Sequence, residues 1–219
     1  LVRLCSSVGA TLILDEVTGC DVAARKLRFR ARPPLAFDVL SVGIGSVPDT
    51  SMVDGSAALA IKPMQTFLQR LEERAERASA SRDGPLRFAV IGGGVAGVEI
   101  ALALTVWQPS FEMPAREVAL IESGEDIVGG LNAPARRAAR RELERRGVQL
   151  QLGEAVARVA DGEIALASGN TLRCDVAILA TPANAPALLA QLGCVTDGRG
   201  FLRTDSTLRV TSGAPVFAV

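Results

Sequence analysis

The residue types most suited to chemistry lie in the middle of the chain, in the stretch RFAVIGGGVAGVEIALAL, residues 87–104. Its glycines fit the pattern GxGxxG between a strand-like apolar run and a helix-like apolar run. Such a turn lets a pyrophosphate approach the backbone, where the unpaired N–H groups and the positive end of the following helix face it. We predict that a dinucleotide contacts the turn residues Gly92, Gly93, Gly94, Val95, Ala96 and Gly97.

The three glycines of the pattern have different predicted tasks. Gly92 allows the tight turn from strand to helix, Gly94 leaves room for the pyrophosphate, and Gly97 lets helix and strand pack closely. The alternative is a structural glycine-rich turn that binds nothing.

A second chemical feature is the carboxylate of Glu122, at the end of the next strand-like run, EVALIE. A carboxylate at this place accepts hydrogen bonds from the two ribose hydroxyls of an adenosine. Glu122 lies 25 positions beyond Gly97 (122 minus 97), and the segment QPSFEMPAR accounts for the extra length. Because a carboxylate repels a 2′-phosphate, the sequence predicts NADH as the preferred cofactor over NADPH. The alternative is an incidental surface glutamate.

Six arginines on the segment PARRAARRELERR, residues 134–146, raise a competing hypothesis. Ala135, Ala138, Ala139 and Leu143 form the apolar stripe of a helix here, so we expect the arginines mostly on its solvated face. A clamp for a 2′-phosphate, or a docking surface, is the alternative.

The composition excludes several kinds of site. The 219 residues include no histidine and no tyrosine, which excludes a Ser-His-Asp triad, a histidine metal site and a histidine or tyrosine proton donor within the chain. The four cysteines form no CxxC pair, and we predict no metal site. Twenty-four basic and 24 acidic residues cancel, so no long-range field attracts nucleic acid. No apolar run is long enough to span a bilayer, and we predict a cytoplasmic protein without a transmembrane segment.

The first third of the chain alternates short apolar runs with turn residues. Residues 11–17 and 26–31 are predicted as antiparallel strands, and residues 38–44 as a buried strand. The segment GSVPDTSMVDGS, residues 45–56, is predicted to be a loop, and an amphipathic helix follows over residues 61–78.

From residue 86 the pattern changes to strand, helix, strand, helix and strand, so a βαβ unit encloses the glycine turn. The alternating runs at 155–159, 163–167 and 171–173 predict an antiparallel meander, and residues 174–181 a buried strand. The polar segment SASRDGP, residues 79–85, is the predicted internal boundary.

With these motifs the chain resembles the FAD- and NAD(P)-dependent pyridine nucleotide-disulfide oxidoreductases, in which an NAD domain is inserted into an FAD domain. VIGGGVAGVEIALAL is similar to the family's second glycine motif. FDVLSVGIGSVPDT and CDVAILATPANAP resemble the turns that enter and leave the NAD domain, and GFLRTDSTLRVTSGAPVFAV resembles the approach to the second flavin motif. Two branches look closest: type II NADH dehydrogenases, and the flavoprotein associated with selenide water dikinase, which the segment IKPMQTFLQRLEE favours.

The resemblance implies an α/β fold: a Rossmann-like, three-layer NAD-binding domain with an antiparallel β-meander, flanked by incomplete pieces of a second, FAD-binding Rossmann-like domain. The predicted limits are a partial FAD-binding domain at 1–50, a connector helix at 51–85, an NAD(P)H-binding domain at 86–194, and a truncated return into the FAD-binding domain at 195–219.

The resemblance also assigns residues around the nicotinamide. Glu99 is expected to orient that ring or a partner lysine, unless it is an acid favoured by the helix dipole. Ala180 and Thr181 form the turn that approaches NAD. Pro182 stands where the family has a glycine in this turn, and it removes an N–H and restricts φ, on which the close approach of the turn depends.

FAD is expected in the full-length protein, with contacts from Val17 and Gly45. The first glycine motif is expected before Leu1, and the final Gly-Asp after Val219. Without these anchors for the FAD phosphates, we expect the fragment to bind NADH and not to retain FAD.

The predicted function is hydride transfer from NADH to FAD and on to an unknown acceptor, such as a quinone, a ferredoxin or a small molecule. One alternative is a non-catalytic nucleotide-sensing module attached to another enzyme such as selenide water dikinase. A dehydrogenase acting alone on a bound substrate is a further alternative. A homodimer, and a peripheral membrane location of the full-length protein, stay open.

Overall fold

The structure is a computed structural model that describes residues 2–81, 84–181 and 183–219. The first 50 residues form a short helix and short strands: α1 (Val2–Ser7), β1 (Val17–Asp21), β2 (Lys26–Phe29), β3 (Leu35–Ala36), β4 (Leu40–Val42) and β5 (Val47–Pro48). Strands then alternate with longer helices: β6 (Ala58–Ala60), α2 (Met64–Ala80), β7 (Leu86–Ile91), α3 (Val95–Val106), β8 (Arg116–Glu122), α4 (Ala133–Arg145), β9 (Gln149–Leu152), β10 (Val156–Ala160), β11 (Glu163–Leu166), β12 (Thr171–Arg173), β13 (Val176–Leu179) and β14 (Ala183–Asn184). A 3₁₀-helix (Ala187–Leu192) and β15 (Val216–Ala218) follow.

The chain divides into two compact units. The discontinuous unit consists of Leu1–Val47 and Asn184–Val219, and the continuous unit is Pro48–Ala183. These limits differ from the predicted ones, because helix α2 belongs to the continuous unit: its side chains of Phe67 and Leu71 are buried in that unit's core. The predicted boundary at 79–85 contains Arg82 and Asp83, which lie outside the described residues.

A parallel sheet forms the centre of the continuous unit. In the described part of the chain it has five strands in the order β6-β13-β7-β8-β9, and each neighbouring pair is parallel. Strand β6 has no counterpart among the predicted elements, because its sequence ALA lacks the branched and aromatic residues typical of strands. Its pairing with β13 determines its conformation.

The two faces of the sheet contact different layers. Phe88 and Val90 of β7 lie in one hydrophobic cluster with residues of α2, α3 and α4. Ala89 and Ile91 of the same strand lie in a second cluster with residues of β10 and β11. Strands β10, β11 and β12 form an antiparallel meander. The layers are therefore helices, parallel sheet and meander, which confirms the predicted α/β, Rossmann-like fold.

The discontinuous unit contains the antiparallel sheet β1-β2-β3 and the parallel pair β4-β15. A strand over residues 11–17 is wrong, since β1 begins at Val17, and Leu14 is 87% exposed. An apolar run forms a strand only beside a partner edge, and β2 pairs with residues 17–21. The predicted loop at 45–56 contains the short strand β5.

None of the helices in the described part of the chain combines the length and the hydrophobicity that a bilayer crossing requires.

Candidate functional site

The glycine turn joins β7 to α3 by a backbone path that side chains would block. Gly92 has a φ of +111°, and a Cβ built on it would lie 2.6 Å from the carbonyl oxygen of Ala180. A Cβ on Gly97 would lie 1.8 Å from the carbonyl oxygen of Gly92. Real Cβ contacts essentially never fall below 3.0 Å, so these two positions require glycine.

Gly94 differs from its neighbours because it faces open space. It is the N-cap of α3 with a φ of −67°, and a Cβ built on it would meet nothing within 4 Å. No side chain caps this helix, and the N–H of Val98 makes the first intrahelical bond, to the carbonyl of Gly94, at 3.0 Å. The preceding amides therefore have no intrahelical acceptor and can donate to an anion.

The Glu122 carboxylate is fixed against this turn by hydrogen bonds. Its Oε2 accepts the N–H of Gly93 at 2.6 Å, and its Oε1 accepts the N–H of Gly124 at 2.8 Å and the hydroxyl of Ser123 at 3.1 Å. A Cβ on Gly93 would lie 2.8 Å from the Cβ of Glu122, so a glycine is what allows this contact.

These bonds keep Glu122 ionised. Partial burial is the largest single influence and raises the pKa of Glu122, but the hydrogen bonds from Gly124, Gly93 and Ser123 together lower it below its ordinary value of 4.5. At neutral pH the side chain is therefore an acceptor of hydrogen bonds, with lone pairs left for hydroxyl donors.

An open cleft of about 680 Å³ lies in front of the turn, entirely within the continuous unit. Its walls come from the ends of β7, β8 and β13, the loop after β8, and residues around 52 and 154–156. The charged residues that line it are Glu122, Asp126 and Glu154, and no lysine or arginine lines it among the residues that the structure describes. An anion here would be bound by backbone N–H groups.

The structure brings most of the predicted site residues to this cleft. Those that line it are Gly92, Gly93, Gly94, Val95, Ala96, Glu122, Ala180 and Thr181. Gly97 is buried behind the turn, and Glu99 is exposed on α3 outside the cleft lining. The Oγ1 of Thr181 is buried without a hydrogen-bond partner among the described atoms. Pro182, on which the approach of the return turn was predicted to depend, lies outside the described residues.

Val17 and Gly45 belong to the discontinuous unit. Gly45 lines a separate groove of about 320 Å³ there, together with Val42, Leu189 and Phe201. Val17 is half-buried at the start of β1.

The arginine-rich helix α4 is partly engaged in ion pairs. Arg140 donates to Asp126 at 2.8 Å, and Arg136 lies 3.7 Å from the same carboxylate. Further along, Glu142 accepts from Arg145 and Arg146, each at 2.6 Å. We predicted that the arginines lie mostly on the solvated face of this helix. That description is incomplete, because Arg136 and Arg140 contact Asp126, which lines the cleft.

Sequence reasoning missed Asp126 and Glu154. Asp126 comes four residues after Glu122, in the loop that follows β8, and this proximity was the available signal. Glu154 follows β9, and because β9 pairs in parallel with β8, the ends of the two strands meet at the same edge.

Comparison with known proteins places this fold and cleft in a family. The family model described as pyridine nucleotide-disulphide oxidoreductase matches residues 5–219. The chain belongs to this family. Several structural neighbours are oxidoreductases that by name use NADPH, NAD, NADH or FAD.

Two curated relatives align over nearly the whole chain. A NADH dehydrogenase-like protein of Mycobacterium tuberculosis is 26% identical over 230 residues, covering 96% of this chain and 54% of the relative. A demethylphylloquinone reductase of Synechocystis is 23% identical over 230 residues, covering 100% of this chain and 55% of the relative. The chain thus spans about half the length of these relatives.

Among solved structures, the water-forming NADH oxidase from Lactobacillus brevis bound to NADH superposes with a TM-score of 0.73 at 24% identity. The match covers 93% of this chain and 44% of that protein, and it shows a shared fold. The narrower resemblance to the flavoprotein associated with selenide water dikinase stays a prediction.

Proposed function

We propose that the continuous unit binds NADH in the cleft and, in the full-length protein, presents it as the hydride donor to FAD. The observation that supports this most strongly is the Glu122 carboxylate, held by the N–H groups of Gly93 and Gly124 beside an uncapped helix N-terminus. The site therefore has backbone N–H groups that can donate hydrogen bonds to a diphosphate. Beside them lies a carboxylate that can accept hydrogen bonds from the ribose hydroxyls, so both parts of an adenosine diphosphate group find a partner.

The residues present fit the dinucleotide. Gly94 and the amides of Val95 and Ala96 would hold the pyrophosphate, and the open space over Gly94 leaves room for it. Glu122 would accept from the ribose hydroxyls. When bound, NADH supplies a hydride, while the protein orients it and excludes water.

Glu99 has a less direct proposed role. It is exposed on the second turn of α3, outside the lining of the cleft. We propose that it acts as a positioning residue for the nicotinamide end.

Binding is tested by titrating the 219-residue chain with NADH and NADPH by calorimetry. We expect tighter binding of NADH, because the cleft carboxylates repel a 2′-phosphate. Glu122→Gln keeps the shape but loses charge-assisted hydrogen bonds, so it should weaken NADH binding about tenfold or more. Equal affinity for the two dinucleotides would remove the role assigned to Glu122.

Glu125→Gln is the matched control for this experiment. Glu125 is exposed on the same loop and does not line the cleft, so the same change of charge should leave NADH affinity within about twofold. A similar loss in both variants would point to a general disturbance of the loop and not to a contact of Glu122.

We further propose that the 219-residue chain by itself does not retain FAD, although Val17 and Gly45 would contact it in the full-length protein. The purified chain should be colourless. A yellow protein with a flavin absorption spectrum would show that the residues of the discontinuous unit bind the cofactor by themselves.

For the full-length protein we propose a quinone as the electron acceptor. The support is the Synechocystis relative, whose name describes a demethylphylloquinone reductase. The test is NADH oxidation by the full-length protein with a short-chain quinone, followed by the loss of NADH absorbance. NADH binding without turnover by any acceptor would favour a nucleotide-sensing module instead.

A further inference from the structure

At the rim of the cleft, one carboxylate holds two guanidinium groups. Asp126 lines the cleft, and its Oδ1 accepts a hydrogen bond from Nη2 of Arg140 at 2.8 Å. Its Oδ2 lies 3.7 Å from Nε of Arg136. Arg140 is the main cause of the lowered pKa of Asp126, with Arg136 adding to it. Asp126 is therefore ionised and faces both cations.

The two arginines are not saturated by Asp126. Nε of Arg136 is buried and has no hydrogen-bond partner among the described residues. The side chains of Arg136 and Arg140 are 34% and 37% exposed, so both can reach solvent and a nearby solute. One carboxylate and two guanidiniums leave a net positive charge, yet of these three residues Asp126 is the one that lines the cleft.

Asp126 lies close to Glu122 along a tight loop. A Cβ built on Gly124, between them, would lie 3.4 Å from Oε1 of Glu122 and 3.7 Å from the carbonyl oxygen of Asp126. Both residues line the same cleft, so a group bound to the Glu122 carboxylate shares that cleft with Asp126. With Glu154, three acidic residues line this cleft.

We propose that Asp126 is a specificity-determining residue, acting as the counter-ion that keeps Arg140 and Arg136 from binding a phosphate at the 2′ position of the adenosine ribose. Exclusion of NADPH then depends on two carboxylates: Glu122 occupies the position beside the hydroxyls, and Asp126 holds the cations. Guanidinium groups bind phosphate through paired N–H donors, so arginines released from Asp126 are suitable ligands for the 2′-phosphate. This inference rests on the proposed binding of NADH in the cleft.

The test compares dissociation constants of NADH and NADPH for the wild-type chain, Asp126→Asn, Glu122→Gln and the double variant. We expect Asp126→Asn to reduce the preference for NADH about tenfold, through tighter NADPH binding, with NADH affinity nearly unchanged. The double variant should move further toward NADPH than either single variant. Raising the salt concentration should reduce the gain, since it is a charge effect.

Removing the arginines is the decisive control. Arg136→Gln with Arg140→Gln, added to Asp126→Asn, should abolish the gain in NADPH affinity, whereas Glu125→Gln should leave the preference as in the wild type. If Asp126→Asn does not fold, Asp126→Ser takes its place, since it removes the same charge with a smaller side chain, and NADPH affinity should rise by a similar factor.

The outcomes separate the two proposals. A wild-type chain that binds no NADH contradicts the proposed function. A chain that binds NADH, but whose preference is unchanged by Asp126→Asn, overturns the role of Asp126 alone. A gain in NADPH affinity that survives loss of both arginines overturns it as well.

Discussion

Replacing two glycines of the same turn by alanine should affect different properties: Gly97→Ala should lower stability, and Gly94→Ala should lower NADH affinity. At Gly97 a Cβ would lie 1.8 Å from the carbonyl oxygen of Gly92, which is 1.2 Å short of the 3.0 Å limit of real contacts. It would also lie 3.3 Å from the Cβ of Ala180, so neither neighbour can yield without moving backbone. At Gly94 a Cβ would meet nothing within 4 Å, and its φ of −67° suits alanine.

The magnitudes follow from this geometry. Overpacking of a close contact costs about 1–3 kcal/mol, and we expect Gly97→Ala to lie at the upper end, about 3 kcal/mol. For a chain of this size that corresponds to a fall in Tm of roughly 6–12 °C. Gly94→Ala exchanges one N-cap residue for a poorer one and should cost only about 0.5 kcal/mol. Its methyl group would occupy the space proposed for the pyrophosphate, so NADH affinity should fall about tenfold or more.

The assay measures both variants by urea unfolding and by calorimetric titration with NADH. Gly97→Ala should lose stability first, and Gly94→Ala should lose binding while remaining folded. If Gly97→Ala has the same midpoint of urea unfolding as the wild type, the predicted steric clash at Gly97 is refuted. A Gly94→Ala chain that binds NADH as the wild type does would refute the placement of the pyrophosphate.

Three further predictions concern single side chains. In the folded chain the pKa of Glu122 lies below 4.5, so its carboxylate stabilises the fold above that pH and ceases to do so as pH falls through the folded pKa. In Glu122→Gln the free energy of unfolding, measured in urea, should therefore fall less between neutral and acid pH than in the wild type. The same pH dependence in both proteins would contradict this. Burial raises the pKa of Cys174 to about 11 from 9.0, so the stability linked to its protonated thiol is lost as pH rises through that range. A thiol reagent at about pH 8 should therefore label Cys174 only after unfolding. Fast labelling of the native chain would show that the thiol is accessible. Asn132 caps α4 by accepting the N–H of Ala135 at 3.0 Å, and Asn132→Ala should cost about 1 kcal/mol in urea unfolding, a loss that would be missing if the cap were unimportant.

The parts of the fold that could be predicted are those with local causes. Gly92 to Gly97 lie within one turn, and their spacing alone dictates where the strand ends and the helix begins. The strand order around the turn follows from the alternation of strands and helices, and the end of β8 places Glu122 beside the glycines. The meander was predictable because Gly162 and Gly169 mark its turns, both with positive φ.

What escaped prediction depends on pairing across the chain. Strand β6 exists because β13 offers it an edge, although its own residues do not favour a strand. The bond from Gly93 to Glu122 joins residues 29 positions apart and appears only when β7 and β8 are adjacent. The ion pairs of Asp126 form because helix α4 packs beside the loop after β8. The spacing of apolar residues in α4 does not show which loop that helix contacts.

The division of the chain also affects its synthesis. The continuous unit is complete in sequence at residue 183, but β4 pairs with β15, and Leu40 is 176 positions from its partner Val216 (216 minus 40). At about 5–20 residues per second, the ribosome needs about 10–35 s between them. Among the described residues β4 pairs with β15 alone, so during that interval this edge lacks the partner that it has in the structure and can pair with other nascent chains. Slower translation of the later residues should therefore increase the fraction of newly made chains that aggregate.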